Sequence, residues 1–323
     1  MKKTVLALIS GSLLFCFAGS SPAQQKVYRI GSLNTAEQFL DSFEGFKARM
    51  AELGYTEGQR VRYDFYDAKG SDEALHGFAR RMVQDKVDLI VTSSTTATVA
   101  AAEATKGTGI PVVFLSAGNP QRLVKSFAGS GTNLAGISSA TVEITGKRLE
   151  LLRELAPWVK HMAAWNDPGG VNFKANLNAA REEGKRQGFT FWEIEVRSRE
   201  EIAKVAPTIT RKAVDAIYTP PDSTVTESIE IIVQQAIKEK LPLMTSLRAN
   251  VKKGCLATYA ADYFALGRQG AMIVDKIFKG IKPSDLPIEL PNKFKLVLNL
   301  KTAGAIGLKI PREVLVRADE VIE

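Results

Sequence analysis

Between Thr92 and Thr98 the chain carries six hydroxyl side chains, in "TSSTTAT", directly after the apolar run "VDLIV". Hydroxyls placed there can do two things. One or two of them can cap a helix starting in the alanine-rich stretch that follows, by accepting from its unpaired first-turn amides. With those amides and the positive end of the helix dipole, they can also hold a carboxylate without a buried countercharge. Other chemistry is sparsely supplied. His76 falls on the polar side of a helix pattern and His161 at the start of a strand pattern. Neither has cysteine, histidine or carboxylate neighbours at metal-ligand spacing. There is no Walker loop, zinc spacing or serine elbow, and "RIGSLNTAEQF" lacks the dinucleotide glycine array. No segment singles out an acid–base carboxylate pair. The chain is therefore read as non-enzymatic, with no cofactor and no metal.

Lys2 and Lys3 precede the apolar run "VLALISGSLLFCFA" and the small residues of "SSPAQQ". That is the order of a secretory signal peptide, residues 1–23, with Ser21 and Ala23 placed for cleavage before Gln24. The apolar run, roughly 14 residues, is short of the ~20 that a membrane-spanning helix needs. The rest of the chain is expected to be exported and periplasmic. Phe15, rather than a small residue, precedes Cys16, which argues against a lipid anchor. One cysteine then remains, Cys255 in "GCLATY", read as a buried, inert thiol with no disulfide partner. The net charge is +8, or +6 without Lys2 and Lys3. It is scattered among acidic residues on helix faces, as in "GKRLELLREL" and "REEGKRQ", with no basic stripe interleaved with aromatics. Nucleic acid is not an expected partner.

Short apolar runs alternate with amphipathic segments along the remaining ~300 residues, enough for two domains. "KVYRIGSL" reads as a strand and 37–53 as a helix, with Phe39, Phe43, Phe46, Met50 and Leu53 on one face and Gly54 as its stop. "RVRYDFYDA", a helix over 71–86, "VDLIV", the helix opened by the hydroxyl cluster, and "IPVVFLS" follow. The pattern then restarts with "HMAAWN", a helix over 171–187, "FTFWEIEV", a helix over 199–212, "VDAIYT", a helix over 224–239, and "LPLMTS". Such alternation predicts right-handed βαβ units and parallel sheets covered on both faces. Two arrays of similar size predict two doubly wound lobes.

Several segments, in order, carry a family resemblance: "ELGYTEGQRVRYDFYDAKG", "VDLIVTSSTTATVAAAEAT", "IPVVFLSAGNP", "GKRLELLRELAP" and above all "KGIKPSDLPIELPNKFKLVLNLKTA". The chain resembles the substrate-binding proteins of ABC transporters, the group typified by tryptophan- and tyrosine-binding lipoproteins. The resemblance implies an α/β fold of periplasmic binding protein type I, two Rossmann-like parallel-sheet lobes with a three-segment hinge. Its crossovers are expected near 134–140, 254–260 and 293–300. Lobe 1 would then hold 26–137 plus 256–294, and lobe 2 would hold 138–254 plus 295–323. The implied function is that of the periplasmic solute-binding component of an ABC importer. It would capture a small carboxylate-bearing ligand, an amino acid or an aromatic or organic acid, by hinge closure between the lobes. The implied partners are that small-molecule ligand and an ABC permease in the inner membrane, with the protein itself a monomer. The alternative is a ligand-sensing protein that signals to a membrane receptor.

Pockets in such sheets lie at the carboxyl ends of the strands, which places the candidate ligand residues. In lobe 1 these are Asn34 after the first strand, Ser93, Ser94, Thr95 and Thr96 after the third, and Ser116, Gly118 and Asn119 at the fourth. "AGNP" departs from the acidic residue that many relatives carry before the proline. In lobe 2, "WNDPGG" resembles the family's Asn-Pro-rich loop and brings Trp165, Asn166 and Asp167, with Trp165 either a stacking platform or core. "TPPDSTV" adds Pro221 and Asp222; Asp222 either caps the next helix or meets a ligand amino group. Arg248 either pairs with a ligand anion or is a surface arginine. Tyr259 and Asp262 are assigned to the hinge.

Overall fold

The apolar runs form two largely parallel sheets in the computed structural model, which describes residues 26–323. The expected leader, 1–23, lies outside the described residues. The first sheet contains β1 (Tyr28–Asn34), β2 (Val61–Asp67), β3 (Leu89–Thr92), β4 (Val112–Ala117) and β5 (Leu134–Ser138). Its order is β2-β1-β3-β4-β5, with every pair parallel. β3, β4 and β5 are buried along their whole length, which is why their sequences run apolar without alternation. Helices α1 (Leu40–Glu52), α2 (Asp72–Gln84) and α3 (Thr95–Ala104) make the crossovers.

The second sheet contains β6 (His161–Asn166), β7 (Thr190–Glu195), β8 (Ala216–Thr219), β9 (Leu243–Thr245), β10 (Ala257–Ala261), β11 (Phe294–Asn299) and β12 (Glu320–Ile322). Its order is β12-β11-β10-β9-β8-β6-β7; β10 and β11 run antiparallel and the other pairs parallel. It is served by α4 (Thr145–Leu155), α5 (Phe173–Gln187), α6 (Arg199–Val205), α7 (Ser223–Glu227), α8 (Ile229–Lys238) and α9 (Arg248–Lys252). The long α10 (Tyr263–Phe278) instead packs on α1 and β4 of the first lobe. α11 (Leu300–Ile306) and α12 (Arg312–Val316) complete the second.

Three expected helices differ in detail. The one over 37–53 opens as a 3₁₀ turn, Glu37–Phe39, before α1. The one over 199–212 ends at Val205, because Pro207 has no N–H to donate and the chain tightens into a 3₁₀ turn. The one over 224–239 breaks at Ser228 into α7 and α8.

The hinge also falls elsewhere than expected. Residues 134–138 and 257–261 are not connections but β5 and β10, buried strands of the first and second sheets. The chain crosses between lobes just after them, at 139–144 and at Asp262, and returns at 290–293 after Glu289 has bridged to β5. Residues 256–261, expected in lobe 1, therefore belong to the second sheet. Their apolar pattern is that of a strand, and a strand satisfies its backbone groups by pairing.

α1 and α10 meet at glycines. A Cβ on Gly45 would collide with the Phe264 carbonyl oxygen, and one on Gly267 with the Ser42 carbonyl oxygen. Only hydrogen-sized side chains allow the two backbones to approach so closely. This contact anchors α10 to the first lobe immediately after the second crossing.

Candidate ligand-binding cleft

Loops at the carboxyl ends of strands in both lobes line a cavity of about 220 Å³. Its first-lobe wall comes from the loops after β1, β2, β3, β4 and β5, and its second-lobe wall from those after β6, β8 and β9. This is the position where doubly wound sheets bind ligands.

The hydroxyl cluster forms one side, and most of its hydroxyls are already occupied. Ser94 caps α3, accepting from Ala97 N at 3.1 Å, and shares a hydrogen bond with Thr35 Oγ1. Thr98 donates to the Ser94 carbonyl (2.6 Å) and bonds with Thr92 (2.7 Å). Ser93 Oγ accepts from Thr35 N at 3.2 Å, and Ser116 donates to the Ser93 carbonyl. Thr95 Oγ1 accepts from Gly118 N (2.9 Å) and Asn119 N (3.4 Å), which leaves its own proton free to donate into the cavity. Ser139 and Thr141, both lining the cavity, bond to each other at 2.6 Å, so one of them keeps a proton to give. The first-turn amides of α3 at Thr95 and Thr96 have no intrahelical acceptor. This wall donates.

The opposite wall accepts. Asp222 caps α7, taking Val225 N (3.0 Å) on Oδ1 and Asp167 N (2.8 Å) on Oδ2. Asp167 accepts from Gly169 N (2.7 Å) and Thr224 Oγ1 (2.6 Å). Burial pushes the Asp222 carboxyl up to about 6, against its hydrogen bonds and with some help from the Asp167 charge. Among the described residues neither aspartate has an ion-pair partner. Phe39 and Tyr263, in edge contact with ring centroids 5.6 Å apart, close one end.

Of the residues singled out from sequence, Ser94, Thr95, Thr96, Ser116, Gly118, Asp167, Pro221 and Asp222 line this cavity. Six others do not. Asn34 is buried and donates to the Ala36 carbonyl and Asp67, and Ser93 is spent on the loops. Asn119 turns into a 3₁₀ segment. Trp165 is 0% exposed in the second-lobe core, packed with Ile194 and Ile217, so it is core and not a platform. Asn166, beside it, is buried in β6. Arg248 is claimed by Glu320 (2.5 and 3.1 Å) and Asp41 (3.1 Å) and lines a second, larger opening on the hinge side. Side chains on one strand alternate faces, so a strand-end position is not enough to reach a cleft.

The sequence reading missed Gln38, Phe39, Asp72, Ser139, Thr141, Asn172, Thr226, Glu227 and Tyr263. Most follow strand ends and were open to the same logic. Tyr263 follows Asp262 at the crossing and belongs to both cavities. Asp262 caps α10 and pairs with Lys295 (2.9 Å) and Lys293 (3.6 Å), so it ties the second crossing to the third. Arg148, fully buried, donates to the carbonyls of Tyr259 (2.9 Å) and Thr141 (2.6 Å) and so ties the first crossing to β10. Cys255 is buried, and burial raises its thiol well above the ordinary range.

The family model for ABC transporter substrate binding proteins matches residues 36–322. The tyrosine-binding protein of Clostridioides difficile (strain R20291) is 26% identical over 268 residues, 82% of this chain and 76% of that protein. A solved ABC domain in complex with L-Trp from Streptococcus pneumoniae is 30% identical, with a TM-score of 0.83 over 92% of this chain and 100% of that one. A ligand-free, open substrate binding protein from Clostridium difficile is 27% identical, with a TM-score of 0.72 over 92% of this chain and 99% of that one.

Proposed function

The chain belongs to the family of ABC transporter substrate binding proteins, and from that premise we propose that it captures an amino acid in the periplasm and delivers it to an ABC permease. Its fold is that of periplasmic binding protein type I, and it is a solute-binding protein rather than an enzyme. The observation that carries the amino-acid reading is the polarity of the cleft. Lobe 1 presents the Thr95 and Thr96 amides and hydroxyls, which suit an α-carboxylate; lobe 2 presents Asp167 and Asp222, which suit an α-ammonium. A zwitterion spanning the two walls would stabilise the closed arrangement, because only that arrangement offers both ends a partner. Hinge closure is supported by contacts that cross the cleft: Arg122 donates to the Val171 carbonyl at 2.6 Å, and Arg248 reaches Asp41 at 3.1 Å. The L-Trp complex also matches this structure better than the ligand-free, open one. Export through a cleaved leader and action as a monomer complete the proposal.

The test is a thermal-shift screen of unfolded and refolded protein against the amino acids, so that no copurified ligand masks the response. A ligand at 100 times its dissociation constant adds about 2.7 kcal/mol. Thr96→Val keeps the shape and removes a hydroxyl that makes no hydrogen bond among the described residues; combined with Asp222→Asn it should abolish the ligand-induced shift. Full stabilisation of the double variant would rule out this cleft as the binding site.

A further inference from the structure

We infer that the ligand carries a second positive charge, making it a basic amino acid whose side-chain cation sits between Asp72 of lobe 1 and Glu227 of lobe 2. The inference rests on the amino-acid reading of the cleft and narrows it. Every charged side chain lining the cavity is a carboxylate: Asp72, Asp167, Asp222 and Glu227. Among the described residues no lysine, arginine or histidine lines it, although the chain as a whole is basic. One α-ammonium uses Asp167 and Asp222, both on lobe 2. The other two carboxylates stand on opposite lobes, Asp72 at the start of α2 and Glu227 at the end of α7.

These two are brought together by the close approach of the lobes. The Glu227 carboxylate lies against Gly70, so closely that a Cβ there would collide with it, and Gly70 holds φ +85°, where a side chain is strained anyway. Asp72 follows two residues later. Among the described residues neither carboxylate has an ion-pair partner, while Glu52, Glu289 and Glu320 on the same molecule all do. Like charges approaching from opposite lobes weaken closure, and a cation placed between them would relieve that repulsion. Burial first, and then the Asp72 and Asp222 charges, raise the Glu227 carboxyl against the pull of the Lys253 charge.

An unused hydroxyl at the same place points to the same ligand. Thr226, 5% exposed, lines the cavity beside Glu227, and its hydroxyl makes no hydrogen bond among the described residues. An alkylammonium or guanidinium brings several N–H groups and a charge, and so answers both deficits. A neutral aromatic side chain answers neither.

The experiment is isothermal titration of the refolded full chain with L-lysine, L-ornithine and L-arginine, and with L-norleucine, L-tryptophan and L-tyrosine. Norleucine has the lysine chain without its amine. Lysine or one of its basic analogues should bind at least about tenfold more tightly than norleucine, a preference that shrinks with added salt. The exposed double substitution Asp72→Asn with Glu227→Gln should bring that ratio close to one. If norleucine, tryptophan or tyrosine binds as tightly as the basic ligands, the second cation is refuted and the amino-acid cleft stands. A ratio unchanged by the double substitution refutes the Asp72–Glu227 position. If no ligand of the set binds, the second cation is refuted, and the amino-acid reading falls with it only if the thermal-shift screen of all the amino acids is also negative.

Discussion

Asp222 ties two pH dependences of opposite sign to one side chain. Its carboxyl is pushed up to about 6 in the ligand-free cleft, against roughly 3.9 in an unfolded chain. Between those values the folded protein holds a proton that the unfolded chain has released. Asp222 therefore stabilises most below about pH 4, and that contribution is lost as the pH rises through 6. A ligand ammonium reverses the preference, because it needs the ionised carboxylate. Affinity should accordingly rise as the pH is raised through about 6, with close to one proton released per ligand bound near pH 5. Titration calorimetry in buffers of different ionisation enthalpy measures that proton. Thermal denaturation across the same range should show the free protein losing stability while the liganded protein stays nearly constant, because the unfolded chain and the complex are both ionised there. A binding curve flat from pH 5 to 7 would remove Asp222 from contact with the ligand.

Two helix features set how firmly the elements hold the cleft. The N-terminus of α3 is fixed by the Ser94 cap, so Ser94→Ala should cost about 1 kcal/mol of stability by chemical denaturation. The α1–α10 crossing is more demanding. Gly267 lies against the Ser42 carbonyl with no room for a methyl group, and the obstacle is backbone rather than a flexible side-chain end. Gly267→Ala should destabilise by about 2–4 kcal/mol, measured by the same method, because the two helices have to separate. A neutral outcome would mean that α10 can shift along α1 without loss, and then the second crossing would not be anchored there.

At the scale of the whole molecule, closure is a balance between cross-cleft contacts and the solvation of two separated walls. Arg122 donates across the cleft to the Val171 carbonyl at 2.6 Å but does not line the cavity. Arg122→Ala should therefore weaken ligand binding by about fivefold, roughly 1 kcal/mol, mainly through faster dissociation. Small-angle scattering adds the geometric readout: the radius of gyration should fall when ligand is added to refolded protein. An unchanged radius together with normal affinity would argue for a cleft that is closed at rest. The three crossings give such a motion its axis, tied by Arg148 between the first crossing and β10 and by Asp262 between the second crossing and the third.

Apolar periodicity by itself determined the α/β class, two arrays of strands and helices, and most element positions, because burial on both faces of a parallel sheet leaves an uninterrupted apolar run such as "VDLIV". It also placed the hydroxyl cluster at a strand end, and the cap at Ser94 is of the kind such a cluster supplies. What it could not determine is which way each strand-end side chain faces. Trp165 and Asp167 are two residues apart, yet one is sealed in the core and the other opens to the cavity past the end of β6. Nor could it place the crossings, since a buried strand and a buried connection read alike in sequence, and β10 was assigned to the wrong lobe for that reason. The approach of Glu227 to Gly70, and so to the start of α2 at Asp72, exists only once two lobes are brought face to face. Tertiary structure decided that the hydroxyls of "TSSTTAT" are largely spent on holding loops, and that the cleft they border is acidic. Charge in a cavity depends on which side chains share it, and no single stretch of sequence records that.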